Sequence, residues 1–83
     1  MKPDIGLIKH ALRILDTIGA AGLPEESLME ELEIAAGRPL TTTQAREVLI
    51  YCTDRGWTNT RRDDFGRTIH WITEAGKNRY RGL

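Results

Sequence analysis

Residues 41–76 decide the fold, and they read TTTQAREVLIYCTDRGWTNTRRDDFGRTIHWITEAG. In the first half, apolar residues recur at helical spacing. Beyond Gly56 the stretch is rich in Thr, Trp and Ile, which favour strands. The pattern predicts a helix over residues 42–55 that ends at Gly56. Thr41 and Gln44, three residues apart, form a capping box that marks where this helix begins.

The second half of this stretch predicts a β-hairpin. Its strands, over residues 57–62 and 67–73, flank a four-residue loop at residues 63–66 with the sequence Asp-Asp-Phe-Gly. Thr73 is then placed to cap a short last helix that runs to about Tyr80.

Two further helices are predicted upstream, over residues 4–21 and 25–36. In the first, the apolar residues share an arc of roughly 180°, wide enough to pack against two elements, or against one element and a second chain. The second begins with two glutamates, whose charge the helix dipole favours, and ends at Gly37. Leu23 and Pro24 form an extended break between the two helices. The second and third helices are joined by a four-residue turn that contains Gly37 and Pro39, which is typical of a helix-turn-helix.

This order of elements resembles a winged helix-turn-helix domain. Arg55-Gly56-Trp57 joins the third helix to a strand, and a polar, arginine-containing hairpin follows. Ile72-Thr73-Glu74-Ala75-Gly76 is similar to the Leu/Ile-Thr-x-x-Gly sequence that closes the wing in many bacterial transcription factors. The resemblance implies an α+β fold: a three-helix core, a two-stranded β-hairpin wing and a short C-terminal helix. It would form a single domain over residues 1–83.

The resemblance also implies binding to duplex DNA by a bacterial or phage transcriptional regulator. The recognition helix, residues 42–55, would enter the major groove, and the wing, residues 57–72, would lie along the backbone or minor groove. Hydroxyl and N–H groups at a helix N-terminus suit a phosphate, and an arginine fork suits a guanine edge. Arginines around the wing loop suit phosphates or the minor groove. The candidate DNA-binding residues are Thr42, Thr43, Arg46, Arg61, Arg62 and Arg67.

An alternative function is a winged-helix module that binds protein instead of DNA. The outward face of the third helix carries two carboxylates, Glu47 and Asp54, which would repel phosphates, and an apolar residue, Ile50. In the last strand, Ile69 and Trp71 alternate with Ile72 and are expected on the opposite face. There they form either a covered satellite cluster or an exposed patch for another protein or a second copy of this chain.

The composition of the chain excludes several classes of protein. The 83 residues hold 12 Lys plus Arg and 12 Asp plus Glu, so the chain is no polybasic nucleic-acid coat, although residues 1–54 carry a net charge of −4 and residues 55–83 carry +4. The single Cys52 excludes an internal disulfide and is expected in the core. We find no catalytic constellation, cofactor motif or metal-ligand spacing, and therefore expect no enzyme. Without a signal peptide or membrane span, we expect a cytoplasmic protein.

Overall fold

A computed structural model describes residues 4–83. The described part contains a central group of helices and one sheet, in the order that the sequence predicts. The order confirms the α+β architecture with a hairpin and a short C-terminal helix. The elements are α1 (Ile5–Ile18), β1 (Leu23–Pro24), α2 (Glu25–Ala36), α3 (Thr42–Asp54), β2 (Thr58–Arg62), β3 (Thr68–Ile72) and α4 (Glu74–Arg81).

The helix ends follow from local chemistry. Thr41 accepts a hydrogen bond from the Gln44 backbone N–H at 3.0 Å, and Gln44 accepts one from the Thr41 N–H at 3.0 Å, so the predicted capping box is present. Gly37 ends α2 in the left-handed conformation, with φ of 68°. After α1, a 3-10 turn at Gly19–Ala21 completes the segment that the sequence predicts as one helix.

α1 is the centre of the core. It packs against α2, α3, α4 and β3, so its wide apolar stripe is used within the domain. Only Ile5 and Ile18, near its two ends, are exposed hydrophobic residues. Burial of each large apolar side chain contributes about 1.5–3 kcal/mol to stability. The fully buried large residues are Leu12, Leu15, Leu28, Leu32, Leu49, Val48 and Cys52.

The sheet has three antiparallel strands in the order β1-β3-β2. β1 is the segment expected to be a plain extended break, and it pairs Leu23 with His70 and Pro24 with Ile69. Gly22, with φ of 72°, precedes β1 and lies so close to β3 that a Cβ there would collide with the His70 carbonyl oxygen. The extra strand makes β3 the central strand of the sheet.

The structure bears on the two arrangements predicted for Ile69 and Trp71, a covered cluster or an exposed patch. Ile69 is only 6% exposed, so the patch expected from Ile69 and Trp71 is wrong for Ile69. The turn before β1 lies against the Ile69 side chain, since an added Cβ on Gly22 would lie 2.9 Å from the Ile69 Cγ2. Trp71 is half-buried, and the Arg61 guanidinium lies 5.9 Å from its ring centroid. Ile69 is therefore covered, whereas Trp71 stays partly exposed.

Candidate nucleic-acid interface

The N-terminus of α3 is an exposed turn of helix. Thr42 and Thr43 follow the Thr41 cap, and both are solvent-exposed. The first backbone N–H groups of a helix have no partner within the helix. The capping box satisfies the N–H of Gln44, while Thr42 and Thr43 present their N–H and hydroxyl groups before it. This end of α3 suits an anionic ligand such as a phosphate.

Arg46 lies one turn further along α3 and has an acidic neighbour. Its Nη2 lies 3.6 Å from the Glu25 Oε2, and the Arg46 side chain is 52% exposed. The other carboxylate oxygen, Glu25 Oε1, is 3.0 Å from the His70 Nε2. Because a carboxylate only accepts hydrogen bonds, Nε2 is the donor. A polar chain therefore connects α3, α2 and β3.

The rest of the outward face of α3 is mixed in character. Glu47, Ile50 and Asp54 are all exposed, as the helical spacing predicts. Ile50 and Asp54 also line a cleft of about 240 Å³ between α3 and the sheet, whose opposite wall carries Thr60 and Thr68. Since alternate residues of a strand share a face, this cleft identifies the face of β2 and β3 that is turned toward α3.

The wing loop is built around Asp63. Asp63 Oδ1 accepts hydrogen bonds from the backbone N–H groups of Phe65 (2.9 Å) and Arg67 (2.8 Å), and Asp63 Oδ2 lies 2.7 Å from the Arg67 Nε. Burial alone would raise the pKa of Asp63, but these hydrogen bonds and the Arg67 charge lower it below its ordinary value. Residues 63–67 separate the strands, so the loop is one residue longer than predicted.

The wing arginines do not lie together. Arg62 pairs with Thr68 across the hairpin and belongs to the face turned toward α3, where its Nη1 donates to the Gly66 carbonyl oxygen at 3.1 Å. Arg61 belongs to the opposite face, where its Nη2 donates to the Ala21 carbonyl oxygen at 3.3 Å. Arg67 is engaged by Asp63 in the loop.

The six predicted DNA-binding residues are all exposed, but they are not equivalent. The structure gathers Thr42, Thr43 and Arg46 on α3 and places Arg62 on the wing face turned toward that helix. Arg61 lies on the other face of the sheet. Sequence reasoning missed Glu25 and His70 as members of this region. Only the long-range pairing of β1 with β3 brings these two residues together.

Cys52 is buried, and burial raises the pKa of its thiol to about 12, which fits a core residue. Residues 4–83 contain no group of three or more His, Cys, Asp or Glu side chains arranged to hold a metal ion. Within the same residues, no helix combines the length and the hydropathy needed to cross a membrane.

Comparison with known proteins gives a likeness in structure. No protein-family model matches the chain, and no curated protein matches it. Among solved structures, the PcaV transcriptional regulator of Streptomyces coelicolor, solved with its natural ligand, superposes with a TM-score of 0.77 at 21% identity over 96% of this chain. A MarR-family transcriptional regulator from Silicibacter pomeroyi superposes with a TM-score of 0.73 at 23% identity over 93% of this chain.

A third solved structure, F-93 of SSV1, has a TM-score of 0.75 at 18% identity and is matched over 84% of its own length. The present chain spans only about half of the two regulators, 52% of PcaV and 47% of the Silicibacter protein. These likenesses confirm that the fold is the winged helix-turn-helix.

Proposed function

We propose that this chain binds duplex DNA and acts as a transcriptional regulator. α3 would enter the major groove, and the β2–β3 hairpin would contact the neighbouring backbone or minor groove. One observation carries this proposal: the wing face that bears Arg62 is turned toward α3, whose exposed first turns present Thr42, Thr43 and Arg46. The solved neighbours named as transcriptional regulators support it.

Each group has a separate task in this proposal. Thr42 and Thr43 would bind a phosphate at the helix N-terminus, which sets the register of α3 on the duplex. Arg46 would meet a guanine edge, where its fork forms two hydrogen bonds. Arg62 would neutralise a phosphate beside the groove, and Arg67 would hold the wing loop while adding positive charge.

The carboxylates of α3 limit the electrostatic part of binding. Glu47 and Asp54 lie on the same exposed face as Arg46, and the net charge of the chain is zero. Few phosphates are therefore neutralised, and the slope of log affinity against log salt is expected to be shallow, about −0.9 for each phosphate contacted. Glu47 would instead accept a hydrogen bond from a cytosine amino group.

The test is fluorescence anisotropy of a labelled random duplex, titrated at about 50 and 200 mM salt. Arg62→Ala and Arg61→Ala form a matched pair, because they remove the same charge from adjacent residues on opposite faces of β2. Arg62→Ala is expected to weaken binding several-fold and to reduce the salt slope by about one. Arg61→Ala is expected to have a smaller effect, since its side chain is held against Ala21 and Trp71.

Absence of binding by the unmodified chain at the lower salt concentration would overturn the proposal. It would turn attention to the alternative, a protein-interaction module with Ile50 in its interface. The structure removes one support of that alternative, since Ile69 is buried. Equal effects of the two arginine substitutions would retain DNA binding and contradict the assigned orientation of the wing.

A further inference from the structure

We propose that Glu25 is a positioning residue for Arg46, and that His70 holds Glu25 in place. This inference rests on the proposed function, because it concerns how the recognition helix discriminates between DNA sequences. The juxtaposition that carries it is the chain Arg46–Glu25–His70, which joins the exposed face of α3 to the central strand of the sheet.

The inner end of the chain is rigid. The His70 side chain is 5% exposed and lies in β3, which pairs with strands on both sides. Its Nε2 donates to Glu25, while its Nδ1 is buried without a hydrogen-bond partner among the described residues. Among the described residues, the bond from Nε2 to Glu25 is therefore the one hydrogen bond of the imidazole. Its loss would leave a second buried nitrogen unsatisfied, which costs free energy.

Glu25 is fixed from the backbone as well as from its side chain. It follows directly after Pro24, whose position is set by pairing with Ile69 in β3. The carboxylate is only 26% exposed, and it divides its two oxygens between His70 and Arg46. It can therefore move little, and its second oxygen lies at a defined place beside α3.

The outer end remains available to a ligand. Arg46 is half exposed, and a guanidinium has five N–H donors. Its Nη2 forms an ion pair with Glu25 at 3.6 Å, which is longer than a hydrogen bond and leaves the donors available. An arginine braced on one edge by a carboxylate has fewer rotamers to lose when its other donors meet a base. Glu25 would thus confine Arg46 to one base pair, at the cost of placing a negative charge near the phosphates.

The test compares two variants, Glu25→Ala and Glu26→Ala. Both remove one carboxylate from the first turn of α2, but among the described residues the exposed Glu26 forms no ion pair with Arg46. Each is titrated with a duplex selected from a random library by the unmodified chain, and with a random duplex. The ratio of the two affinities measures discrimination, and a thermal melt checks that each variant is folded.

Glu25→Ala is expected to lower discrimination by roughly three- to tenfold, which is part of what one bidentate arginine supplies. Its affinity for the random duplex is expected to stay equal or to rise, as in Glu26→Ala, because a negative charge is lost. In an Arg46→Ala background, Glu25→Ala should no longer change discrimination, because there is no arginine left to position. If Glu25 had a purely structural role, its substitution would still lower discrimination in that background.

His70 provides a second comparison. His70→Gln retains a side-chain N–H near the position of Nε2 and is expected to keep discrimination, whereas His70→Leu removes the donor and is expected to lower it. If Glu25→Ala and Glu26→Ala discriminate equally while the unmodified chain still binds DNA, the positioning role of Glu25 is overturned and the proposed function stands. Failure of the unmodified chain to bind any duplex would overturn the proposed function, and this inference with it.

Discussion

At the residue scale, Thr73 and Gly76 give a physical meaning to the Ile-Thr-Glu-Ala-Gly sequence that closes the wing. Thr73 accepts a hydrogen bond from the Gly76 backbone N–H at 3.1 Å and donates one to the Gly56 carbonyl oxygen at 2.6 Å. It therefore caps α4 and ties the end of β3 to the end of α3. Position 76 leaves no room for a side chain, because the first turn of α4 lies against the backbone of Trp57.

Gly76→Ala is expected to destabilise the domain by about 2–3 kcal/mol. The added Cβ would collide with the Trp57 carbonyl oxygen and lie 2.7 Å from the Ile72 Cγ1, so backbone must shift. Urea unfolding followed by circular dichroism measures the change. Gly82→Ala is the matched control, because its Cβ would be 3.5 Å from the nearest atom, the Arg79 carbonyl oxygen. A loss of stability in Gly82→Ala as large as that in Gly76→Ala would contradict this explanation.

At the scale of elements, the wing loop is ordered by one carboxylate. Asp63 binds two backbone N–H groups and the Arg67 guanidinium, and its own N–H donates to the Arg67 carbonyl oxygen at 3.0 Å. These contacts hold the two ends of the hairpin loop together. The side chains of Phe65 and Arg67 are thereby presented from a defined turn, with the guanidinium 5.5 Å from the ring centroid.

The order of this loop is expected to depend on acid pH. Since the pKa of Asp63 is lowered in the folded state, its contribution is fully present above the ordinary aspartate pKa and is lost as the pH falls through the lowered value. Backbone NMR signals of Phe65 and Arg67 should follow this titration, with a midpoint below the ordinary value. Asp63→Asn should abolish it, while Asp64→Asn should leave it in place. A midpoint at or above the ordinary value would refute the prediction.

At the scale of the whole molecule, one copy has one α3 helix and one wing hairpin with which the proposed regulator would contact DNA. A single module contacts few base pairs, and regulators commonly bind two half-sites with two copies. The sequence predicts self-association through the wide stripe of α1 or through Trp71. The stripe is buried within the domain except for Ile5 and Ile18 at its ends, and Trp71 is half-buried, so these three residues are what remains of the two predicted surfaces.

We therefore expect the chain to self-associate at high micromolar concentration, or to bind a palindromic duplex as two copies. Sedimentation velocity of the free chain and of the complex measures both. Ile18→Glu and Trp71→Glu would identify the surface, because a charge on the contact surface should weaken association while the domain remains folded. A single monomeric species at high micromolar concentration, with one chain per palindromic duplex, would contradict the expectation.

The sequence by itself determined the type and order of the helices and of the hairpin, and placed most of their ends within a residue or so. These depend on apolar spacing and on capping pairs only three residues apart, such as Thr41 with Gln44 and Thr73 with Gly76. The winged-helix resemblance and the exposure of Thr42, Thr43 and Arg46 follow from the same local patterns. None of these features depends on a tertiary contact.

Only the tertiary structure decided which faces are covered and which charges meet. β1 is two residues long, too short to show a periodic pattern, yet its pairing buries Ile69 and makes β3 central. Glu25 and His70 are 45 residues apart, so no spacing rule relates them. Their contact arises because β1 brings the start of α2 to the middle of the sheet. Long-range pairing of this kind, and not local propensity, placed Arg46 beside a braced carboxylate.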